Sequence, residues 1–443
     1  MTQQRVLVVS TTRQQLMPCT PARARFLLKA KKAAVLRMYP FTIILKGRSE
    51  GDVQPVEFKV DPGSKTTGIA LVADYVKRGK TVVFAAELHH RGQAIKDALD
   101  LRRAIRRSRR NRNTRYRPAR FDNRTRPQGW LPPSLMSRVH NVATWARRLQ
   151  RFAPLSQVAV ETARFDTQLM SNSDISGIEY QQGTLAGYEI REYLLDKWGR
   201  ECAYCGKTGV PLEIEHIVPR SSGGSDRISN LTLSCNPCNI KKGNRTAAEF
   251  GHPEVQAQAQ KPLKDAAAVN ATRHATGNAL KTLGLPVSFC TGGRTKFNRT
   301  LQGYPKAHWI DAACAAGSGT QVRLDPTMPV LLIKSCGHGS RQMCRVDKYG
   351  FPRTAPKGDR VVKGFRSGDI VKAMVPAGVR QGSYTGRVAV RSRGSFNIAT
   401  GTGVITDISY KYCSVLHRAD GYNYKQDMAL LPALKDGVPT PRG

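Results

Sequence analysis

Two Cys-x-x-C pairs, Cys202/Cys205 and Cys235/Cys238, frame a segment holding Glu215, His216 and Asn230, with Asn239 one residue past the second pair. Thiolates at that spacing can supply a tetrahedral sulfur set to Zn²⁺. The interval between the pairs is longer than in a plain zinc ribbon, so IEHIVPRSSGGSDRISNLTLSC carries something of its own. Its residue types suit phosphodiester hydrolysis, which needs an activated water, a divalent cation on the scissile phosphate and a fixed geometry between them. His216 is the candidate general base, because a neutral imidazole titrates near working pH. Glu215 and Asn239 offer hard oxygen ligands that suit Mg²⁺. Asn230 is placed to bond to backbone and hold the loop after His216. The plainer alternative is a structural zinc knuckle with an incidental His.

A strand ending in an acidic residue plus His, then a Gly-rich loop, then a helix supplying Asn, resembles the ββα-metal nuclease motif known as HNH. Many HNH proteins carry Asp where this chain has Glu215.

A second set of chemistry-bearing residues is spread along the chain. In VEFKVDPGSKTTGIALVAD, Val56, Phe58 and Val60 alternate on one strand and Ile69 and Leu71 on the next, leaving Asp61 at the strand end before the turn. TVVFAAEL, Thr81 to Leu88, supplies a third strand. QVAVETARFD reads as a short buried strand ending at Glu161, and PKAHWIDAACAAG as a helix start with His308 and Asp311 one turn apart on one face. Three antiparallel strands with an Asp ending the first resemble the start of an RNase H fold, in the form found in RuvC-like nucleases. The acidic residues converge only if one sheet is rebuilt from separate segments, with the intervening pieces looped out. Asp61, Glu161 and Asp311 then form a carboxylate cluster for two Mg²⁺ ions, stabilising the attacking and leaving oxygens of an in-line displacement. His308 activates or steers the attacking water. Taken singly, each residue has a structural reading, an Asp before a turn being ordinary turn chemistry. As an ordered set flanking the cysteine segment, they carry the catalytic one.

The composition that must position these groups is extreme. The chain has 443 residues, enough for several domains and a sizeable core, and 71 Lys+Arg against 32 Asp+Glu give a net charge of +39. A field of that sign implies a polyanionic partner such as nucleic acid. No apolar run approaches the ~20 residues of a spanning helix. MTQQRVLVVSTTRQQLMP lacks the long apolar region of a signal peptide, which points to the cytoplasm. There, ten cysteines argue for metal rather than disulfides. Cys19, Cys290, Cys314, Cys336, Cys344 and Cys413 are scattered and read as packing residues, with Cys336, His338 and Cys344 as a less favoured second metal set.

Between Glu87 and Pro127, Arg102, Arg103, Arg106, Arg107, Arg109, Arg110, Arg112, Arg115, Arg117 and Arg120 leave no neutral face. The stretch from about Ile95 to Asn113 lacks Gly and Pro and reads as a helix. Such a helix repels itself unless it neutralises phosphates, so it is expected to lie against RNA or a heteroduplex. Arg in place of Lys favours bidentate phosphate contact and stacking. Residues 1–50 read as strands RVLVVS and FTIILKG around a helix over PARARFLLKAKKAAVL, with Pro21 near its start. Residues 246–290 read as helical. From about Pro329, short strands punctuated by Gly and Pro suggest one or two small SH3-like barrels. Interleaved Arg345, Lys348, Tyr349, Arg353, Arg366, Lys372, Arg387, Arg391, Arg393 and Tyr412 make that region a nucleic-acid surface. The closing LKDGVPTPRG reads as disordered.

The run QLMPCTPARARFLLKAKKA, with Gln15 in place of the first Pro, resembles the N-terminal "PLMP" domain of the transposon-encoded IscB proteins. SRQMCRVDKYGFPR and KGFRSGDIVKA resemble that family too, and the order of modules matches it across nearly the whole chain. The resemblance implies an α/β multidomain protein. A PLMP-like module (1–54) is followed by a split RNase H-like RuvC domain (55–92, 128–196, 251–328), an Arg-rich bridge helix (93–127), an inserted zinc-binding HNH domain (197–250) and a β-rich tail with a small barrel (329–443). It further implies an RNA-guided, Mg²⁺-dependent DNA endonuclease, a prokaryotic, nucleoid-associated and monomeric protein within a ribonucleoprotein. HNH would cut the guide-paired strand and RuvC the displaced strand of double-stranded DNA, with a structured noncoding guide RNA as partner. The tail would hold RNA and read a short target-adjacent motif. Two rival readings are a protein-guided HNH homing endonuclease, which needs no split carboxylate set, and a non-catalytic RNA-binding protein, which needs no carboxylates or His216.

Overall fold

The computed structural model describes residues 4–112, 127, 129–162, 191, 194–195, 197–225, 228–259, 264–326, 328–338, 344, 346–349, 351–355 and 361–427. Arg115, Arg117, Arg120, Arg345 and the closing LKDGVPTPRG lie outside the described residues. The chain divides into two compact units, Met1–Glu161 with Ala275–Gly443, and Thr162–His274.

The first unit opens with a four-stranded sheet in the order β2-β1-β4-β3, built from β1 (Val6–Val9), β2 (Gln15–Cys19), β3 (Ala33–Arg37) and β4 (Thr42–Leu45). Helix α1 (Pro21–Lys29) starts where Thr20 accepts the Arg23 N–H and Pro21 presets the first turn. The sequence suggests a helix running on through Leu36, but α1 stops at Lys29. Lys31 turns to φ 55°, and Ala33–Arg37 pairs antiparallel with β4.

Next come β5 (Val56–Asp61), β6 (Thr66–Tyr75), β7 (Gly79–His89), α2 (Gly92–Arg110), α3 (Pro133–Gln150) and β8 (Leu155–Glu161). β5, β6 and β7 run antiparallel, while β8 returns parallel to β5 with Val60 opposite Val160. Alternation along β5 sends Val56, Phe58 and Val60 into a core with Trp145 and Leu149 of α3. Glu57, Lys59 and Asp61 therefore share the opposite face.

The second unit, within its described residues, centres on the antiparallel pair β9 (Leu212–His216) and β10 (Leu231–Cys235), followed by α4 (Asn236–Lys242) and α5 (Pro253–Ala259). Leu194, Trp198, Leu212, Ile217, Leu231, Leu233 and Ala247 form its core.

Helix α6 (Lys264–Lys281) spans the division at His274. The expected helical stretch then breaks: β11 (Val287–Cys290) is a strand, parallel to β8, with Cys290 opposite Glu161. α7 (Gly292–Leu301), α8 (His308–Ala313) and β12 (Val330–Ser335) follow. Trp309, Ile310, Ala312 and Ala313 of α8 pack with Ala70 and Val72, on the sheet face opposite α3.

The tail contains the hairpin β13 (Val361–Val362) and β14 (Phe365–Arg366). A five-stranded antiparallel sheet follows, of β15 (Ile370–Val375), β16 (Gly382–Ala389), β17 (Ser395–Ala399), β18 (Val404–Ser409) and β19 (Cys413–His417). Its order is β18-β17-β16-β15-β19, with no pairing of β18 to β19 among the described residues, so the expected barrel is open there. β12 pairs with β7, and β20 (Tyr422–Asp427) pairs with β12, so both strands belong to the central sheet. Among the described residues this sheet has seven strands, β11-β8-β5-β6-β7-β12-β20. The architecture is thus mixed α/β and multidomain.

Candidate active sites

In the first unit, Asp61 and Glu161 end adjacent parallel strands, and Cys290 ends the next. Helix α8 lies on the face of β5 that carries Asp61, and β5 holds both its ends. At the start of the helix, His308 Nδ1 lies 3.8 Å from Asp61 Oδ2, an electrostatic contact rather than a hydrogen bond. At its end, fully buried Lys59 donates from Nζ to the carbonyls of Ala313 (3.1 Å) and Ala315 (2.9 Å), with Glu57 Oε2 3.6 Å away. A cation there suits the helix C-terminus and its unpaired carbonyls. Asn298 Nδ2 also donates to the carbonyls of Cys314 and Ala316, each at 2.9 Å.

Close approach of α8 depends on Gly68, which lies opposite Asp61 in the β5/β6 register. A Cβ on Gly68 would come within 1.9 Å of the His308 carbonyl oxygen.

The electrostatics are those of crowded carboxylates. Burial pushes Glu161 well above the usual range, the Asp61 charge adds to this, and a hydrogen bond from Thr295 opposes it. Burial and then Asp61 push Asp311 up to about 6 against the pull of Arg299. Asp61 raises His308, with burial opposing and Glu87 and Asp311 adding to the rise. Arg299 Nη1 lies 3.1 Å from Asp311 Oδ1 but is misaligned for a hydrogen bond, and Glu161 Oε2 is buried with no hydrogen-bond partner. An orphaned carboxylate oxygen beside two further carboxylates is a donor set that fits a divalent cation. Their oxygens do not close to within 4.8 Å of one another as the four cysteine sulfurs do. A cavity of about 440 Å³ opens along β8 and β11, lined by Glu57, Gln157, Phe289, Cys290 and Arg294 among others.

In the second unit the sulfurs of Cys202, Cys205, Cys235 and Cys238 all lie within 4.8 Å of one another, with Cys205 and Cys235 3.7 Å apart. Sulfurs around a tetrahedral Zn²⁺ at ~2.3 Å stand about 3.8 Å apart, so the cluster fits structural zinc. Burial would raise the Cys202 thiol, but backbone N–H groups of Cys235, Cys205 and Tyr204 outweigh it and bring it to about 7. Cys336, His338 and Cys344 form no comparable group among the described residues.

The loop after His216 folds back on itself. Asn230 accepts from Val218 N at 2.8 Å and donates to the carbonyls of Val218 (2.9 Å) and Ser225 (2.8 Å). Gly224 N donates to Pro219 O, and a Cβ there would meet Val218 O at 1.8 Å, so only glycine fits. Lys242 Nζ reaches the His216 carbonyl at 2.8 Å and Glu215 Oε1 at 2.5 Å, and Tyr204 donates to Glu215 Oε2 at 2.6 Å. Glu215, expected as a Mg²⁺ ligand, is therefore buried with both oxygens engaged. Asn239 donates instead to Glu213 Oε2 at 2.8 Å.

Of the arginine-rich stretch, α2 exposes Arg102, Arg103, Arg106, Arg107 and Arg110. Half-buried Arg109 and Arg112 differ: Arg109 stacks on Phe351, and Arg112 on both Tyr349 and Phe351. The signal for α7 was weak but present, since Thr295, Asn298 and Arg299 recur at helical spacing on one face.

Comparison with known proteins agrees with the sequence resemblance. The family model for RRXRR proteins matches residues 6–183, and that for HNH endonucleases matches residues 202–245. The chain is IscB-like, with an HNH endonuclease domain. No curated protein matches this IscB-like chain. Among solved structures, Streptococcus thermophilus Cas9 in complex with the GGAA PAM is similar at 14% identity and a TM-score of 0.21, covering 58% of this chain and 32% of that one. The Type II-C Cas9 of Actinomyces naeslundii is similar at 16% identity and a TM-score of 0.16, covering 41% of this chain and 30% of that one. The IscB-like chain thus spans about a third of the length of these structures. Scores this low place none of its residues on theirs.

Proposed function

We propose that this protein is an RNA-guided endonuclease that cuts both strands of a DNA duplex with two different sites. The observation that carries this reading is the convergence of Asp61, Glu161, His308 and Asp311, from three separate stretches, at one end of a single sheet in a chain that also carries an HNH domain. A homing-type HNH nuclease has no use for that second set, and an RNA-binding regulator has no use for either.

In the RuvC-like site, Asp61, Glu161 and Asp311 would hold two Mg²⁺ ions, and Glu161 Oε2 already lacks a protein partner. Bound Mg²⁺ supplies Lewis-acid stabilisation of the attacking and leaving oxygens. His308, fixed by the approach of α8 to Gly68, orients the attacking water and accepts its proton. The cavity beside Cys290 gives the displaced strand a path along the sheet edge. In the HNH domain, His216 takes the proton of the water that attacks the guide-paired strand, with its loop held by Asn230. Asn239 supplies an oxygen to a single Mg²⁺ there, while the cysteine-bound Zn²⁺ is structural.

The exposed arginines of α2 act as a bridge along the RNA–DNA heteroduplex, and the basic tail holds the RNA scaffold and reads the target-adjacent motif. The domain boundaries expected from sequence carry over to this assignment, as do a cytoplasmic setting and a single protein copy per ribonucleoprotein.

The test is to purify the protein from its own locus and sequence the nucleic acid bound to it. One abundant RNA with a constant structured part and a variable end supports guidance. Heterogeneous RNA, or none, would move the homing-type reading ahead.

A further inference from the structure

Resting on the RuvC-like part of that reading, we infer that Lys59 and Asn298 are positioning residues of that site. Together they clamp the backbone turn after α8 and so fix where Asp311 stands relative to Asp61. Helix α8 has six residues, too few for its own backbone bonds to hold it rigid. His308 and Asp311 therefore keep their places only if both ends of the helix are held from outside. Gly68 serves the first end, and the second end has a device of its own.

Past Asp311, the four consecutive carbonyls of residues 313–316 are taken by two side chains. Lys59 Nζ takes Ala313 (3.1 Å) and Ala315 (2.9 Å), while Asn298 Nδ2 takes Cys314 and Ala316, both at 2.9 Å. Both side chains are fully buried. Helix ends commonly leave such carbonyls to water or to a glycine cap. Here the chain instead holds Ala316 at φ 63° and ψ −176°. That region is essentially glycine's, and another residue stays in it only where its surroundings over-determine the backbone. Alternate carbonyls pinned from the sheet and from α7 supply that constraint.

Both halves of the clamp lead to the carboxylates. Lys59 lies two residues before Asp61 on the same face of β5, so the strand that carries one carboxylate also holds the helix that carries another. Asn298 is followed by Arg299, whose Nη1 lies 3.1 Å from Asp311 Oδ1. One turn earlier on α7 stands Thr295, which hydrogen-bonds Glu161. Loosening the turn at 313–316 would therefore shift Asp311 against both Asp61 and Glu161.

The full chain is titrated with Mn²⁺ under electron paramagnetic resonance, alongside thermal melting and zinc content. The ions lost in Asp61→Ala define the site. Asn298→Leu, and separately Glu57→Gln/Lys59→Met, which removes the buried ion pair whole, are expected to weaken binding of those ions roughly 10–100-fold. Both should also lower the melting temperature and leave zinc content unchanged. Ala316→Gly alone relieves the backbone, so it is expected to raise the melting temperature and keep Mn²⁺ affinity within about twofold. Added to either clamp variant, Ala316→Gly should restore folding and melting but not Mn²⁺ affinity. Recovery of both together, or native Mn²⁺ affinity in a clamp variant, overturns the inference and leaves the two residues a purely structural role. A native chain that loses no Mn²⁺ on Asp61→Ala contradicts the RuvC-like reading itself, and the positioning role falls with it.

Discussion

The carbonyl oxygen of His308 occupies the space that a side chain on Gly68 would need, 1.9 Å from an ideal Cβ. Gly68 is paired with Asp61, so one glycine sets how closely the His308–Asp311 helix approaches the first acidic strand. Gly68→Ala must push α8 off the sheet, because the obstructing atoms are backbone and cannot swing aside. It is expected to reduce displaced-strand cutting at least a hundredfold, a misplacement of about 1 Å being enough for that. Cutting by the His216 domain should persist, as read on a strand-labelled duplex.

A second prediction concerns acid stability. Burial would raise Asp420, but the His417 ring 3.3 Å away, a hydrogen bond from Tyr424 and the charge of Arg148 hold it down at about 2. Arg37 Nη2 and Arg148 Nη1 lie 3.0 and 2.9 Å from its Oδ2. A carboxyl depressed below its unfolded value near ~3.9 contributes stability that is fully present above that pH. The contribution, about 2 kcal/mol, is lost as the pH falls from about 4 to about 2. Asp420→Asn should therefore melt well below the native chain at pH 7, and the gap should narrow as the pH approaches 2. A gap that does not change with pH would contradict this.

The zinc module should be inseparable from its metal. Structural zinc supplies about 10–16 kcal/mol in small cysteine sites, and here the sulfurs of Cys202 and Cys235 are part of the core of the second unit. Cys235→Ser or a strong chelator is expected to release one zinc per chain and abolish the melting transition of that unit. Displaced-strand cutting, which uses other residues, should survive. Metal analysis and calorimetry read both outcomes.

The arginines of the basic stretch, in α2 and just past its end, should separate by salt dependence. Replacing an exposed one such as Arg106 with Ala is expected to reduce the slope of log K against log salt for RNA by about 0.7–0.9. Arg112→Ala should change that slope much less and instead expose the Asp347–Phe351 turn to protease, because this guanidinium lies over Tyr349 and Phe351. Equal slope changes for the two would show that both contact phosphate.

What was legible in the sequence follows from which signals are local. Asp61 and Glu161 could be placed because each ends an apolar strand, and His308 and Asp311 because one helical turn separates them. Asn230 and the cysteines were marked by spacing. Strand β11 was hidden because it is a short edge strand whose Phe289 is 47% exposed, so no buried alternation marks it. The support from α7 was hidden because Thr295, Asn298 and Arg299 read as a basic, polar run. Lys59 and Lys242 are fully buried only because tertiary partners, helix-end carbonyls for one and Glu215 for the other, meet their charges.

The most direct test of two independent sites is strand-resolved cleavage of a guide-matched duplex by the ribonucleoprotein carrying His216→Ala or Asp61→Ala. The account predicts that His216→Ala leaves the guide-paired strand whole and still cuts the displaced strand, with Asp61→Ala giving the opposite pattern. Loss of both cuts together in either variant would contradict it.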